Sequence, residues 1–470
     1  MNPTDRLSPD EIRSRFSALM SEMYRQEVPQ YGSLLALVAQ VNEAAMASDG
    51  VLRAQFEAGP ERARLDVERH GAIRLGTAQE LHTLRRIFAV MGMEPVGYYD
   101  LSVAGVPVHS TAFRPVDPVA LARNPFRVFT SLLRLELIAD EVLRETAAEI
   151  LRGRHIFTPR ALALVARHES VGGLTSDEAD GFVREVRETF RWHSQATVSA
   201  TTYQQLHHAH RLVADVVCFK GPHINHLTPR TLDIDAVQAG MPRHGICPKE
   251  VVEGPPPRRV PILLRQTSFK ALDEPVLFPD ASDANGAPGG QMGTHTARFG
   301  EIEQRGMALT RKGRALYDAL LQRVRQADGG GADAQGYEQR LAQVFTEFPD
   351  DLDSLRRQGL GFFHYRLTPQ GEQARVGAGA GSQDIEALID AGLVQAEPLI
   401  YEDFLPVSAA GIFQSNLGGS QRKTYSAQAA QAAFEAALGA RVHDEVVLCE
   451  AAERASLAAV KAALCDAVGT

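Results

Sequence analysis

At 470 residues the chain is long enough for two or three domains, or for one large duplicated domain with additions, and its 44% hydrophobic and 23% charged residues are ordinary for a globular protein. A net charge of -9 with no basic tract argues against nucleic acid as a partner, and no apolar run approaches the ~20 residues needed to span a bilayer. Cys218, Cys247, Cys449 and Cys465 lack CxxC spacing, and the first fifteen residues carry no apolar leader, so free thiols and a cytoplasmic location are expected rather than a zinc ribbon, a disulfide framework or a secretory signal.

Residues 1–60 read as N-terminal helices, with Ser8-Pro9-Asp10-Glu11 as a helix start and Leu34, Leu35, Leu37, Val38 and Val41 on an apolar face. Residues 61–117 read as a β-α-β-β module. In it a strand over 65–73 carries His70, a capping box at Thr77 to Glu80 opens a helix that Gly92 ends, and strands follow at 95–101 and 106–113. Residues 118–217 read as a helical insertion, with Leu132, Leu133, Leu135, Leu137, Ile138 and Val142 as a helical stripe and further helices at 176–192 and 202–217. Residues 218–310 repeat the β-α-β-β order. A strand over 219–226 carries His223 and His226, a helix runs from Thr231 to Gly240, and strands at 259–269 and 299–305 flank a Gly-, Ala-, Asp- and Asn-rich loop at 280–293. Residues 311–470 form a mainly helical C-terminal region with a glycine break at 329–331, a short strand at 361–367, a loop-rich apolar segment at 401–413 and an alanine-rich helix at 427–440. The expected class is α+β: two paired β-α-β-β modules closing a metal-holding β-barrel, with helical additions.

The chemistry centres on the histidines that the two modules present at equivalent strands. Two histidines and one carboxylate on three strands form a facial triad with open coordination positions, which suits non-haem Fe(II) and oxygen. His70 is the candidate from the first module. In the second, His223 and His226 are three apart and face opposite sides of a strand, so only one of them reaches the ion. The carboxylate is Glu301 or Glu303, which alternation cannot separate because they share a face. Arg74 lies four residues beyond His70 on the same strand face, roughly 13 Å away. That spacing suits a small dicarboxylate chelated at one end and clamped bidentately by arginine at the other. His207, His208 and His210 lack the i, i+4 spacing of a helical chelate and read as surface residues, and His295 is an outlying candidate. No phosphate loop, dinucleotide fingerprint or nucleophile elbow is present.

The paired modules resemble the vicinal oxygen chelate superfamily, and Phe299-Gly300-Glu301-Ile302-Glu303-Gln304-Arg305 is similar to the strand of 4-hydroxyphenylpyruvate dioxygenases that supplies the metal glutamate. Four motifs together resemble the bacterial 2-oxoadipate dioxygenase/decarboxylase (hydroxyglutarate synthase) family: Arg69-His70-Gly71-Ala72-Ile73-Arg74, the segment 223–230, the segment 298–306, and Pro406-Val407-Ser408-Ala409-Ala410-Gly411-Ile412-Phe413. The resemblance implies metal ligands at His70, His226 and Glu301, which leaves Glu303 to a supporting place behind them, and substrate contacts from Arg74, Val407 and Ser408. It implies Fe(II) as cofactor, with a 2-oxo dicarboxylate and O2 as the small-molecule partners. The implied activity is conversion of 2-oxoadipate to D-2-hydroxyglutarate and CO2 in lysine breakdown. A redox-neutral metal-dependent isomerase or hydrolase of the same fold, and a dioxygenase of an aromatic 2-oxo acid, are the alternatives.

Overall fold

In the computed structural model the described residues are 6–50, 53, 61–269, 273–279, 290–296, 298–328, 334–376, 384–405 and 424–465. They divide into two compact units: Met1–Glu253 with Gln266–Gln304 and Phe404–His443, and Gly254–Arg265 with Arg305–Asp403 and Asp444–Thr470.

The first unit opens with helices Pro9–Glu27 and Pro29–Ser48. Ser8 caps the first in a full capping box with Glu11. Its central sheet runs in the order β2-β3-β4-β1-β5, with β1 at Arg69–Leu75, β2 at Glu94–Asp100, β3 at Val108–Arg114, β4 at Arg127–Leu133 and β5 at Leu227–Pro229. Strand β1 is parallel to β4, pairing His70 with Arg127, and antiparallel to β5, pairing His70 with Thr228. Helix Ala78–Val90, with the expected capping box at Thr77 and Glu80, lays Leu81, Leu84, Ile87 and Phe88 into the core. There Phe88 packs against Phe113 and Phe190, and Phe16 against Phe126 and Phe190.

Several elements differ from the sequence reading. The run at 127–133 is a strand, not part of a helical stripe. All seven of its residues are buried between β3 and β1, and a short continuous apolar run cannot be told from a buried helix by periodicity. The helix begins only at Glu141, where Asp140 caps it. Residues 61–67 are helical, closed by the Glu68 N–H on the Arg64 carbonyl, and β1 starts after them. The expected strand at 219–226 is irregular: Pro222 has no N–H to give, and regular pairing starts one residue after His226. The expected helix at 202–217 is broken at His210, whose extended backbone and ring nitrogen cap the helix Arg211–Val217. Glycine-rich residues 290–293, expected in a loop, belong to strand β8 (Gly290–Thr296), which pairs antiparallel with β7 (Asp273–Pro279).

Strand β6 (Leu264–Ser268) pairs with β9 (Glu301–Arg305), and β9 reaches the end of β5 through a parallel bridge between Arg230 and Glu303. The strand expected over 259–269 is shortened to these five residues, since Pro261 cannot donate and Leu263 sits at φ 52°. Among the described residues these sheets are open and no closed barrel is formed. At Gly300 an added Cβ would lie 1.8 Å from the buried Phe269 ring. Gly300→Ala is therefore expected to cost about 1–3 kcal/mol through forced repacking. Chemical denaturation with the urea midpoint as readout checks this, and an unchanged midpoint would contradict it.

The second unit packs helices Arg311–Asp328 and Ala334–Val344, the antiparallel pair β10 (Phe363–Leu367) and β11 (Val394–Pro398), and the helix Glu445–Cys465. That last helix caps the β10 edge: Glu453 accepts from the Phe363 N–H at 2.8 Å and Ser456 from the Tyr365 N–H at 3.1 Å.

Candidate metal centre

His70, His226 and Glu301 converge. One ligand atom from each lies within 4.8 Å of the others, and all three side chains are buried. Strand β1 supplies His70, the residue just before β5 supplies His226, and β9 begins with Glu301. The β1–β5 pairing and the β5–β9 bridge therefore bring the three together. Gly71 permits the close approach, because a Cβ there would lie 2.4 Å from Ile224 Cδ1 and 3.0 Å from the His226 carbonyl oxygen.

The surrounding hydrogen bonds fix which atoms face the centre. The Thr228 hydroxyl donates to Glu301 Oε1 at 3.1 Å, so at 2.9 Å it accepts from His226 Nδ1–H. That tautomer leaves His226 Nε2 with its lone pair, and Nε2 is buried with no hydrogen-bond partner. Gln266 Nε2 donates to Glu301 Oε1 at 2.9 Å, while Glu301 Oε2 is buried and also without a partner. His70 lies between two carboxylates, with Nε2 3.0 Å from Glu301 Oε1 and Nδ1 3.0 Å from Glu303 Oε2. Two orphaned buried acceptor atoms beside a second imidazole, that of His70, are what a divalent cation would satisfy, and the N,N,O donor set suits Fe(II). Glu303 and Thr228 orient the imidazoles from behind, as partners of metal-bound histidines do.

Electrostatics agree with this arrangement. Burial pushes His226 down to about 4, so it is neutral near pH 7. Burial also pulls His70 down, but Glu303 and Glu301 outweigh it and raise its pKa. Burial raises Glu301, but His226 and His70 outweigh it and hold it below the usual carboxylate range. Two phenylalanines wall the centre: Phe299 stacks on His226 at 4.9 Å and Phe404 meets the edge of His70 at 4.9 Å.

The other candidates fall elsewhere. His223 is outside the cluster and faces Asp215 at 3.3 Å, so His226 is the one of the pair that reaches the centre. His295 bonds Asp215 Oδ1 at 2.9 Å rather than joining the triad. His210 is a helix cap, and His207 and His208 sit on exposed turns of the helix Ala200–Ala209. Arg74 is paired with Asp215 Oδ2 at 2.6 Å. Val407 and Ser408 lie outside the described residues. The sequence reading missed Thr228, Gln266 and Asp215. Thr228 was within reach, since it is two residues from His226 and so shares its face.

The model of the 2-oxoadipate dioxygenase/decarboxylase family matches residues 16–416. The 2-oxoadipate dioxygenase/decarboxylase of Pseudomonas putida is 59% identical over 467 residues, 99% of either chain. That of Escherichia coli is 59% identical over 450 residues, 96% of this chain and 98% of its own. The crystal structure of the Pseudomonas putida hydroxyglutarate synthase in complex with 2-oxoadipate matches with a TM-score of 0.89 at 58% identity, covering 98% of this chain and 99% of that one. With a family match across most of its length, and with relatives this similar from end to end, the chain belongs to the 2-oxoadipate dioxygenase/decarboxylase family.

Proposed function

We propose that the protein is an Fe(II)-dependent enzyme that converts 2-oxoadipate and O2 to D-2-hydroxyglutarate and CO2. The observation that carries this reading is the convergence of His70, His226 and Glu301, with His226 Nε2 and Glu301 Oε2 buried and unpartnered, in a chain of this family. The reaction balances without a second reductant: one oxygen atom enters the carboxylate left after C1 departs as CO2, and the other becomes the new hydroxyl. Fe(II), when held by the triad, supplies the open positions for chelating the 2-oxo acid and for activating O2.

The chain's own residues supply position and surroundings. Glu303, Thr228 and Gln266 hold the ligand atoms in their roles. Phe299 and Phe404 exclude water around the imidazoles. Arg74 takes the far carboxylate of the substrate, with Val407 and Ser408 completing that end. The βαβββ order of β1, the helix Ala78–Val90 and β2 to β4, joined through β5 to β9 and β6, supports a vicinal oxygen chelate-like arrangement of two modules about the metal.

Family membership favours 2-oxoadipate over an aromatic 2-oxo acid, and a dioxygenase over a redox-neutral isomerase or hydrolase. Oxygen uptake by the Fe(II)-loaded protein, with CO2 and 2-hydroxyglutarate followed together, tests the reading. Uptake matched to product with 2-oxoadipate, and absent in His226→Ala, is the expected result. Absence of uptake with the unaltered protein would overturn it.

A further inference from the structure

Behind Arg74 lies a buried polar chain that the metal centre does not use. Asp215, on the helix Arg211–Val217, is 6% exposed. Its Oδ2 accepts from Arg74 Nη1 at 2.6 Å, and its Oδ1 lies 2.9 Å from His295 Nε2 and 3.3 Å from His223 Nε2. His295 Nδ1 in turn lies 2.9 Å from the Tyr203 hydroxyl, and Trp192 stacks on the His295 ring, 5° from parallel, while meeting His223 edge-on. Burial would raise the Asp215 pKa, but His223, Arg74 and His295 outweigh it and hold it ionised. Burial pushes His223 down to about 3, so it faces Asp215 as a neutral imidazole.

We infer that Asp215 is a positioning residue for Arg74, and that the Tyr203–His295–Asp215 chain fixes the direction in which the guanidinium meets the second carboxylate of the substrate. An unrestrained arginine side chain loses rotamer freedom whenever it is immobilised on a ligand. Asp215 is anchored by a helix and two imidazoles, so it spends that freedom before the substrate arrives. The chain thus acts on selection for a dicarboxylate and not on the bond-breaking steps at the metal. The inference rests on the reading of Arg74 as the clamp.

The test is steady-state kinetics with 2-oxoadipate, together with the inhibition constant of 2-oxohexanoate, which has the same chain length but no second carboxylate. In Asp215→Ala the KM for 2-oxoadipate is expected to rise about 10-fold or more while kcat stays within about 3-fold, the pattern of lost binding rather than lost chemistry. The 2-oxohexanoate constant and the iron stoichiometry are expected to stay put. The double variant with Arg74→Ala is expected to be no worse than Arg74→Ala alone, because the two residues act as one unit. Equal changes for both ligands, a fall confined to kcat, loss of iron, or additive effects would each overturn the assignment. If Asp215→Ala does not fold, His295→Gln decides: a KM for 2-oxoadipate raised about 3-fold, with the 2-oxohexanoate constant unmoved, supports the chain, and no change overturns it. The failures are separable. If Arg74→Ala itself leaves discrimination between the two ligands intact, the clamp reading falls. If Arg74→Ala abolishes discrimination and Asp215→Ala spares it, only the role of Asp215 falls.

Discussion

Glu301→Gln is expected to abolish metal retention while leaving the fold in place. Glu301 Oε1 already accepts from Thr228 and Gln266, and Oε2 is the unpartnered acceptor aimed at the centre. An amide keeps the shape but removes the anionic ligand, so turnover should fall about 1000-fold or more, corresponding to several kcal/mol of lost metal-dependent stabilisation. The metal dependence of stability separates this from simple misfolding. Without metal, His226 and His70 favour the ionised Glu301, so the amide forfeits that attraction and metal-free Glu301→Gln should melt somewhat lower than the metal-free parent. The parent should gain about 2.7 kcal/mol of stability in Fe(II) at 100 times its Kd, and the variant nothing. Metal analysis after desalting, with melting curves taken with and without Fe(II), reads both effects. Full iron occupancy in the variant would rule Glu301 out as a ligand.

Arg74→Ala carries the second large effect. A charge-assisted hydrogen bond to a carboxylate is worth about 1.5–3 kcal/mol, so kcat/KM for 2-oxoadipate should fall by about 10- to 150-fold, mostly through KM. Arg74→Lys should recover only part of this, because a lysine ammonium cannot keep one contact on Asp215 and present a planar fork to a second carboxylate. Removing the guanidinium also leaves Asp215 buried with one cation fewer, so some loss of thermal stability is expected alongside. Wild-type kinetics in both variants would mean that another group binds the far end of the substrate.

The parts of the fold legible in the sequence were those with local punctuation. The caps at Ser8 and Thr77 and the strands on either side of Gly105 are set by short-range chemistry, and the elements start and stop close to where that chemistry places them. Strand β4 was not legible, because Arg127–Leu133 is buried on both faces and shows no alternation, so its leucines merge with the following run. His70 could be picked out because it stands on a strand; strand position narrowed the carboxylate only to Glu301 or Glu303, the motif resemblance pointed to Glu301, and Glu303 faces the opposite nitrogen of the same imidazole. His223 and His226 could not be ranked by pattern alone. What separates them is tertiary: Asp215 takes one, and Thr228 with Glu301 takes the other. Asp215 itself gave no signal, since a single acid in an apolar helix has meaning only once Arg74 and His295 are brought to it.

The distance along the chain between the proposed ligands bears on how the protein would acquire a metal. His70 and Glu301 are 231 positions apart, and Thr228 reaches Glu301 across 73. The three candidate ligands come from three separate segments, so the site is incomplete before β9 docks against β5 and β6. Contacts of such long sequence separation form late and slowly. Iron uptake during refolding should consequently lag behind the recovery of helical structure and coincide with completion of the sheet. Bound metal then reports on finished molecules alone, and a chain nicked between the two modules before it folds would escape loading altogether.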